Sequence, residues 1–201
     1  MVDNLRERKK RETRSRISDT ALALFKERGF DHVTVAEVAA AANVSEKTVF
    51  NYFATKEDLF FDRDEEIAQA WTDAATAIPE GSPLAGLRAH VQARNAGPPS
   101  GPSAAFRAVI AGSTLLQVRA EKMRNGHAAA LAEALAARLG CAAADPTPQI
   151  VAHQVLAIPS LASRVARERL AAGAPAGRVT EQVRDLIDRA FDILERGLAR
   201  S

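Results

Sequence analysis

FDHVTVAEVAAAANVSEKTVFNYFATKEDLF, residues 30–60, contains three helix starts in close succession. Thr34 and Glu37 stand three apart, so the hydroxyl and the carboxylate can each satisfy an amide at a helix N-terminus, and Val33 and Val38 hold the flanking staple positions. Ser45 is a good N-cap, with Val44 and Val49 placed in the same way around it. Thr55 caps a further helix, whose first turn carries Glu57 and Asp58 where the helix dipole favours acids. The spacing predicts a short helix over residues 35–42, a second from residue 46 to near 53, and a third from residue 56. Asn43 lies in the very tight connection between the first two, and Asn is among the few non-glycine residues that tolerate positive φ. In the middle helix Val49 and Phe53, four apart, would face the core, leaving Glu46, Lys47, Thr48, Asn51 and Tyr52 on or beside the outer face.

Upstream, Ile17, Ala21, Leu24 and Phe25 recur at helical spacing and predict a helix over residues 13–28. Gly29 sits where a left-handed C′ residue is needed, and Phe30 can then pack back on Phe25. Charge is concentrated ahead of this helix. Residues 1–16 carry +4 through Arg6, Arg8, Lys9, Lys10, Arg11, Arg14 and Arg16, residues 1–56 carry +3, and residues 57–201 carry −1. A basic arm suits a polyanion, although a charge run alone is equally a solvated terminus. Three short helices with a tight turn between the second and third are the outline of a helix-turn-helix, in which the last helix enters the major groove with its N-terminal residues at base edges. The competing reading is a generic three-helix bundle, because caps and staples establish only that helices form.

Residues 13–61 closely resemble the N-terminal signature of TetR-family regulators. The resemblance is carried by Thr34 opening the second helix, the turn Asn43-Val44-Ser45, Thr48, Phe50, Phe53, and Lys56 with Leu59. It implies that Thr34, Thr48 and Tyr52 donate hydroxyl hydrogen bonds to phosphates, with Ser45 sharing in this, and that Lys56 meets a phosphate at a helix N-terminus. It also implies that Glu46, Lys47 and Asn51 read base edges: Lys donates to guanine, Asn suits adenine and Glu accepts from cytosine, or discriminates by repelling phosphate. Arg8, Lys9, Lys10 and Arg14 would reach the DNA backbone or a minor groove. Three departures from the family pattern stand out. Asn43 and Lys47 each replace a usual Gly, and Phe50 replaces a usual Tyr, which removes a phosphate hydrogen bond.

The remainder reads as helical, giving an all-α chain of about nine helices: a DNA-binding domain over residues 1–56 and a sensor and dimerisation domain over residues 57–201. The fourth helix should run to about residue 77. A turn is expected at 79–83, a helix over 84–93, a loop over 96–103, then helices over 104–111, 114–139, 149–172 and 178–200, with Pro159 inside the eighth. The last helix carries Val183, Ile187, Ala190, Phe191, Leu194 and Leu198 in one stripe, which Leu186 and Ile193 widen to a second side. That width fits either a fully buried core helix or a helix with two partners. The resemblance favours a homodimer contact through the last two helices, at Leu186, Ala190, Ile193 and Leu194. A dimer would present two reading helices to a palindromic double-stranded operator. Trp71, His90, Phe106, Leu116, Met123, His127 and His153 lie on helices that would surround a ligand cavity of the family's type, although each singly is more often core or surface.

Composition narrows the class further. The chain has 201 residues, 47% hydrophobic and 26% charged, as a globular protein does. It has no apolar run of membrane-spanning length and no apolar signal-peptide core, and its single cysteine, Cys141, cannot form an intrachain disulfide. A cytoplasmic protein is therefore expected, with no membrane partner. The four histidines show no metal spacing, and there is no phosphate loop, nucleophile elbow or acid–base pair, so neither a metal, a cofactor nor an enzymatic activity is expected. The expected function is a sequence-specific DNA-binding regulator, a homodimeric repressor released by a small apolar ligand. The alternative is a dimeric DNA-binding protein whose C-terminal half is a protein-interaction module without an inducer.

Overall fold

The structure, a computed structural model, describes residues 2–77, 82, 84–96, 102–142 and 144–199. Among these residues there are ten helices and no strand: α1 (Val2–Arg28), α2 (Val35–Ala41), α3 (Glu46–Tyr52), α4 (Lys56–Phe60), α5 (Asp64–Thr76), α6 (Ala85–Asn95), α7 (Pro102–Ala111), α8 (Thr114–Leu139), α9 (Thr147–Ala171) and α10 (Ala176–Leu198). Residues 79–81 and 83 of the expected turn, and residues 97–101 of the expected loop, lie outside the described residues. No helix among the described residues is long and apolar enough to cross a membrane.

The chain forms two compact units. The first comprises Met1–Asp64 with Ala105–Ala120, and the second Glu65–Ala104 with Glu121–Ser201. The core of the first is built from Ile17, Ala21 and Phe25 of α1, Val38 of α2, Val49 and Phe53 at α3, and Leu59 and Phe60 of α4. Each such large apolar side chain contributes roughly 1.5–3 kcal/mol on burial. Phe30 packs on Phe25 with ring centroids 4.9 Å apart, and Gly29 takes the left-handed φ of 83° that the helix stop requires.

Two features of this unit differ from the sequence expectation. The basic segment is helical from Val2 onward, because its Arg, Lys and Glu residues are good helix formers and an Arg8–Glu12 pair (3.4 Å) supports the spacing of four. The expected long fourth helix is instead α4 and α5, parted at residues 61–63, and this raises the helix count to ten. Two long-range bonds hold the break, Asp62 to Arg14 (2.6 Å) and Arg63 to Asp19 (3.3 Å), and there Phe61 stands edge-on to its neighbour Phe60 with centroids 4.9 Å apart. The first unit also recruits α7 and the first two turns of α8. Phe106 stacks on Phe60 with centroids 4.2 Å apart, Ser113 donates to Asp31 (2.8 Å), and Arg119 bonds Asp58 (3.1 Å).

The second unit centres on α10, which buries Val179, Val183, Ile187 and Phe191. It packs on α9 and on α6. Arg88 of α6 reaches Asp192 (2.6 Å) and Glu195 (3.0 Å), and Gln92 donates to Asp188 (2.6 Å). Helix α9 continues through Pro159, whose carbonyl accepts from Ser163 (2.6 Å).

Candidate nucleic-acid interface

The turn between α2 and α3 is made by Asn43, at φ 54°, so the left-handed residue that the sequence requires is present without a glycine. Ser45 caps α3 through Thr48 N–H (3.1 Å). The helix then sorts its seven residues cleanly. Val49 is buried, Thr48 and Tyr52 are half-buried, and Glu46, Lys47, Phe50 and Asn51 are exposed. None of these four exposed residues makes a side-chain hydrogen bond or ion pair among the described residues. They span one arc of the helix, with Phe50 and Lys47 at its middle and Phe50 52% exposed. Phe50 is thus the one apolar side chain of α3 left in water, while Val49 is buried.

The expected phosphate donors are already engaged to different degrees. Thr34 Oγ1 donates to Glu37 Oε2 (2.8 Å) and accepts from Glu37 N–H (3.2 Å), while Glu37 accepts from Thr34 N–H (2.8 Å) and from Arg28 (2.9 Å). The backbone and hydroxyl bonds from Thr34, with Arg28 beside them, hold the Glu37 carboxyl below the usual carboxylate range. Thr34 therefore has its one proton directed at an anion. Ser45 and Thr48 hydroxyls lie 2.8 Å apart, so the pair uses one proton between them and keeps one for an outside acceptor. Lys56 Nζ donates to the Phe30 carbonyl (2.6 Å) and sits 4.2 Å from the Phe30 ring centroid. Burial pushes its ammonium below the ordinary lysine range, opposed by the charges of Asp31, Glu57 and Glu37. Two of its three protons remain for other acceptors. Arg14, read from the sequence as part of a DNA-reaching arm, is instead held inside the unit by Asp62 and the Tyr52 carbonyl. Nothing local in the sequence signals this.

In the second unit, Trp71 is buried and its ring lies 4.7 Å from that of His90. His90 Nε2 is buried without a hydrogen-bond partner among the described residues, and burial, with Arg94 nearby, lowers the pKa of the ring. Met123 and His127 are half-buried and His153 is exposed. Phe106 and Leu116 belong instead to the core of the first unit. Two grooves mark the second unit. One, of about 410 Å³, runs between α6 and α10 past Gln92, Asn95, Thr180 and Arg184. The other, of about 450 Å³, runs along α9 and α10 past Leu161, Val165, Leu186, Ala190 and Ile193. None of the seven residues expected around a ligand lines either groove. Ile193 is 57% exposed and Leu161 38%, while Leu194 packs against the core. No group of three or more His, Cys, Asp or Glu among the described residues is arranged to hold a metal ion.

Comparison with known proteins bears on both units. Residues 17–62 match the profile of bacterial regulatory proteins of the tetR family, and residues 82–199 match that of the MftR C-terminal domain. The HTH-type transcriptional regulator TcmR of Streptomyces glaucescens is 35% identical over 107 residues, which is 53% of this chain and 41% of TcmR. MftR of Mycobacterium tuberculosis is 32% identical over 87 residues, 43% of this chain and 37% of MftR. The matched region thus spans about two-fifths of these relatives' length. Among solved structures, NalD of Pseudomonas aeruginosa, the secondary repressor of the MexAB-OprM multidrug efflux pump, aligns with a TM-score of 0.59 at 18% identity, covering 91% of this chain and 97% of NalD. GusR of Salmonella enterica aligns with a TM-score of 0.60 at 19% identity, covering 89% and 95%. These two likenesses are of fold.

Proposed function

Because the chain belongs to the tetR family of bacterial regulatory proteins, DNA-binding transcription factors without enzymatic activity, we propose that it is a homodimeric repressor that a small apolar ligand releases from a palindromic operator. The observation that carries the reading is the pairing of a left-handed Asn43 with a short α3 whose outer arc offers Glu46, Lys47, Phe50 and Asn51 unpartnered to solvent. These residues read the major groove. Thr34, the Ser45–Thr48 pair, Tyr52 and Lys56 set the register on phosphates, Thr34 by sharing the proton now given to Glu37 and Lys56 with the two protons that Phe30 does not take.

Dimerisation is supported by the α9–α10 groove, where Leu161, Leu186, Ala190 and Ile193 leave an apolar strip on an otherwise charged surface. Leu194, facing the core, supports this strip from behind. The ligand reading is supported by Trp71 and His90. An imidazole nitrogen buried without a partner is disfavoured by about 1–3 kcal/mol, and a ligand that bonds it while covering Trp71 recovers that free energy. Release then requires that the ligand bind one conformation better than the other.

The test is selection of random duplex DNA by the purified protein near physiological salt. Enrichment of a palindrome with half-sites about one helical turn apart supports the reading. Lys47→Ala should then change the preferred sequence, whereas Lys56→Ala should weaken all sequences alike and flatten the salt dependence. No enrichment from a folded dimer removes the sequence-reading claim. A rise in melting temperature with apolar compounds, abolished in Trp71→Ala, supports the ligand half, and its absence across a broad panel favours a C-terminal interaction module instead.

A further inference from the structure

We propose that Arg14 is a positioning residue for the DNA-reading helix: it clamps the C-terminal end of α3 to α1 and to the turn between α4 and α5, and it does this in place of touching DNA. The inference rests on the DNA-binding reading above.

Three contacts converge on this one guanidinium. Nε donates to Asp62 Oδ1 at 2.6 Å, Nη1 donates to the Tyr52 carbonyl at 3.1 Å, and the guanidinium carbon lies 4.7 Å from the centroid of the Phe53 ring. Tyr52 is the last residue of α3, so its carbonyl is one of the four at the helix end with no acceptor role inside the helix. A cation there also meets the negative end of the helix dipole. Phe53 is the α3 cap and is buried, which places the aromatic face under the guanidinium at the same helix end. Asp62 supplies the third anchor. Its side chain is 13% exposed against 45% for Arg14, so the carboxylate is the enclosed member of the pair and needs its cation.

A seven-residue helix has little stability of its own, and its direction depends on what holds it. The N-terminal end of α3 is fixed by the Ser45 cap and the Asn43 turn. Arg14 fixes the other end, from a residue of α1 that otherwise belongs to the basic segment. Its neighbours behave differently: Arg8 pairs only along α1 with Glu12, and Lys9, Lys10 and Arg11 have no ion pair or side-chain hydrogen bond among the described residues. The +4 of residues 1–16 therefore overstates the charge offered to DNA, because Asp62 already neutralises Arg14. Only arginine serves here, since a lysine cannot reach a carboxylate and a carbonyl with a planar fork while lying over a ring.

The experiment uses the full chain, the selected duplex, and Arg14→Ala, Arg14→Lys, Asp62→Ala and the Arg14→Ala/Asp62→Ala double variant, each kept at a temperature where it is fully folded. Affinity is measured across a salt series, and amide exchange of residues 49–53 is measured without DNA. The expected result is about a tenfold loss of affinity for Arg14→Ala and for Asp62→Ala, with the double variant no weaker than the worse single one. Arg14→Lys should not rescue, the slope of log affinity against log salt should be unchanged, and exchange at residues 49–53 should rise in both single variants. A slope that falls by about 0.9 in Arg14→Ala makes Arg14 a phosphate contact and overturns the proposal. So does tighter binding by Asp62→Ala, which would mean that Arg14 had been withheld from DNA. Unchanged affinity alongside a lowered melting temperature assigns Arg14 to stability alone and overturns it too. If the wild type selects no duplex, the DNA-binding reading is what fails, and the exchange measurement still decides whether Arg14 holds α3.

Discussion

Replacing Gly86 by alanine should loosen the second unit where α5 and α6 approach each other. A Cβ at Gly86 would stand 2.1 Å from the Ala74 carbonyl oxygen and 3.2 Å from its carbonyl carbon, whereas ordinary contact begins near 3.4 Å. The two helices would have to part by the difference between 3.4 and 2.1 Å, about 1.3 Å, because the obstructing atom is backbone and cannot rotate away. Overpacking of this kind costs about 1–3 kcal/mol. The helix propensity gained by exchanging Gly for Ala, at most about 1 kcal/mol, is small in the first turn where Gly86 lies. A net loss of about 2 kcal/mol lowers the melting temperature of a chain of this size by roughly 4–8 °C. Trp71 is the sole tryptophan, and its ring lies against His90 across the same two helices, so its emission follows the opening directly. Gly126→Ala is the control. It lies within α8 with nothing inside 4 Å of the added carbon, and it should stabilise by about 0.5–1 kcal/mol. Equal shifts for the two variants, or a Gly86→Ala protein as stable as the wild type with unaltered Trp71 emission, would refute the close α5–α6 approach.

Three further outcomes are expected. The Glu37 pKa is depressed in the folded state, so its contribution is present above the unfolded value of 4.5 and is lost as pH falls through the folded one. Denaturant titrations taken downward from about pH 5 should show a shallower decline for Glu37→Gln than for the wild type, and identical slopes would discount the capping box. If α9 and α10 form the proposed dimer contact, Ile193→Asp should raise the dimer dissociation constant on the order of 100-fold by sedimentation while the helical signal is unchanged, since a charge would be buried at a packed interface. A dimer of unaltered strength would place the interface elsewhere. Phe50 should favour thymine through its C5-methyl: replacing operator thymines one at a time by deoxyuridine should weaken wild-type binding at one position by roughly fourfold, the value of a buried methyl near 0.8 kcal/mol, and leave Phe50→Ala indifferent there.

What the sequence reveals in this chain is what is decided within a turn or two of helix. The Thr34–Glu37 box, the Ser45 and Thr55 caps, the left-handed Asn43 and the Gly29–Phe30 stop all join residues at most five apart, and every one is legible from residue type and spacing. Arg14 is different: its partners lie 38 and 48 residues away, and one of them, Asp62, lies in the break of the expected long fourth helix at residues 61–63. Ser113 meets Asp31 across 82 residues, and with Phe106 on Phe60 it draws α7 and the start of α8 into the first unit, where the sequence reading had ended the DNA-binding domain at residue 56. Pattern reading locates surfaces and caps, but it does not say which of several exposed-looking cations the fold will use for itself.

Sequence preference and affinity divide in this protein according to which side chains the fold already uses. Of the side chains that a motif most readily assigns to DNA, Thr34 has its one hydroxyl proton given to Glu37, so a phosphate contact it made would replace part of an existing bond and its net gain would be small, whereas Lys56 keeps two protons beside the one given to Phe30. Glu46, Lys47, Phe50 and Asn51 have no such internal claims. On the proposed reading, contacts they make with bases would be formed against water alone, with no intramolecular partner lost. It follows that substitutions on the outer arc of α3 should alter which duplex is preferred more than how tightly an average duplex is held. Substitutions at Thr34 and Lys56 should act on every duplex alike, and partly through the fold. A variant at Thr34 that changed the preferred sequence while the α2 cap stayed intact would contradict this division.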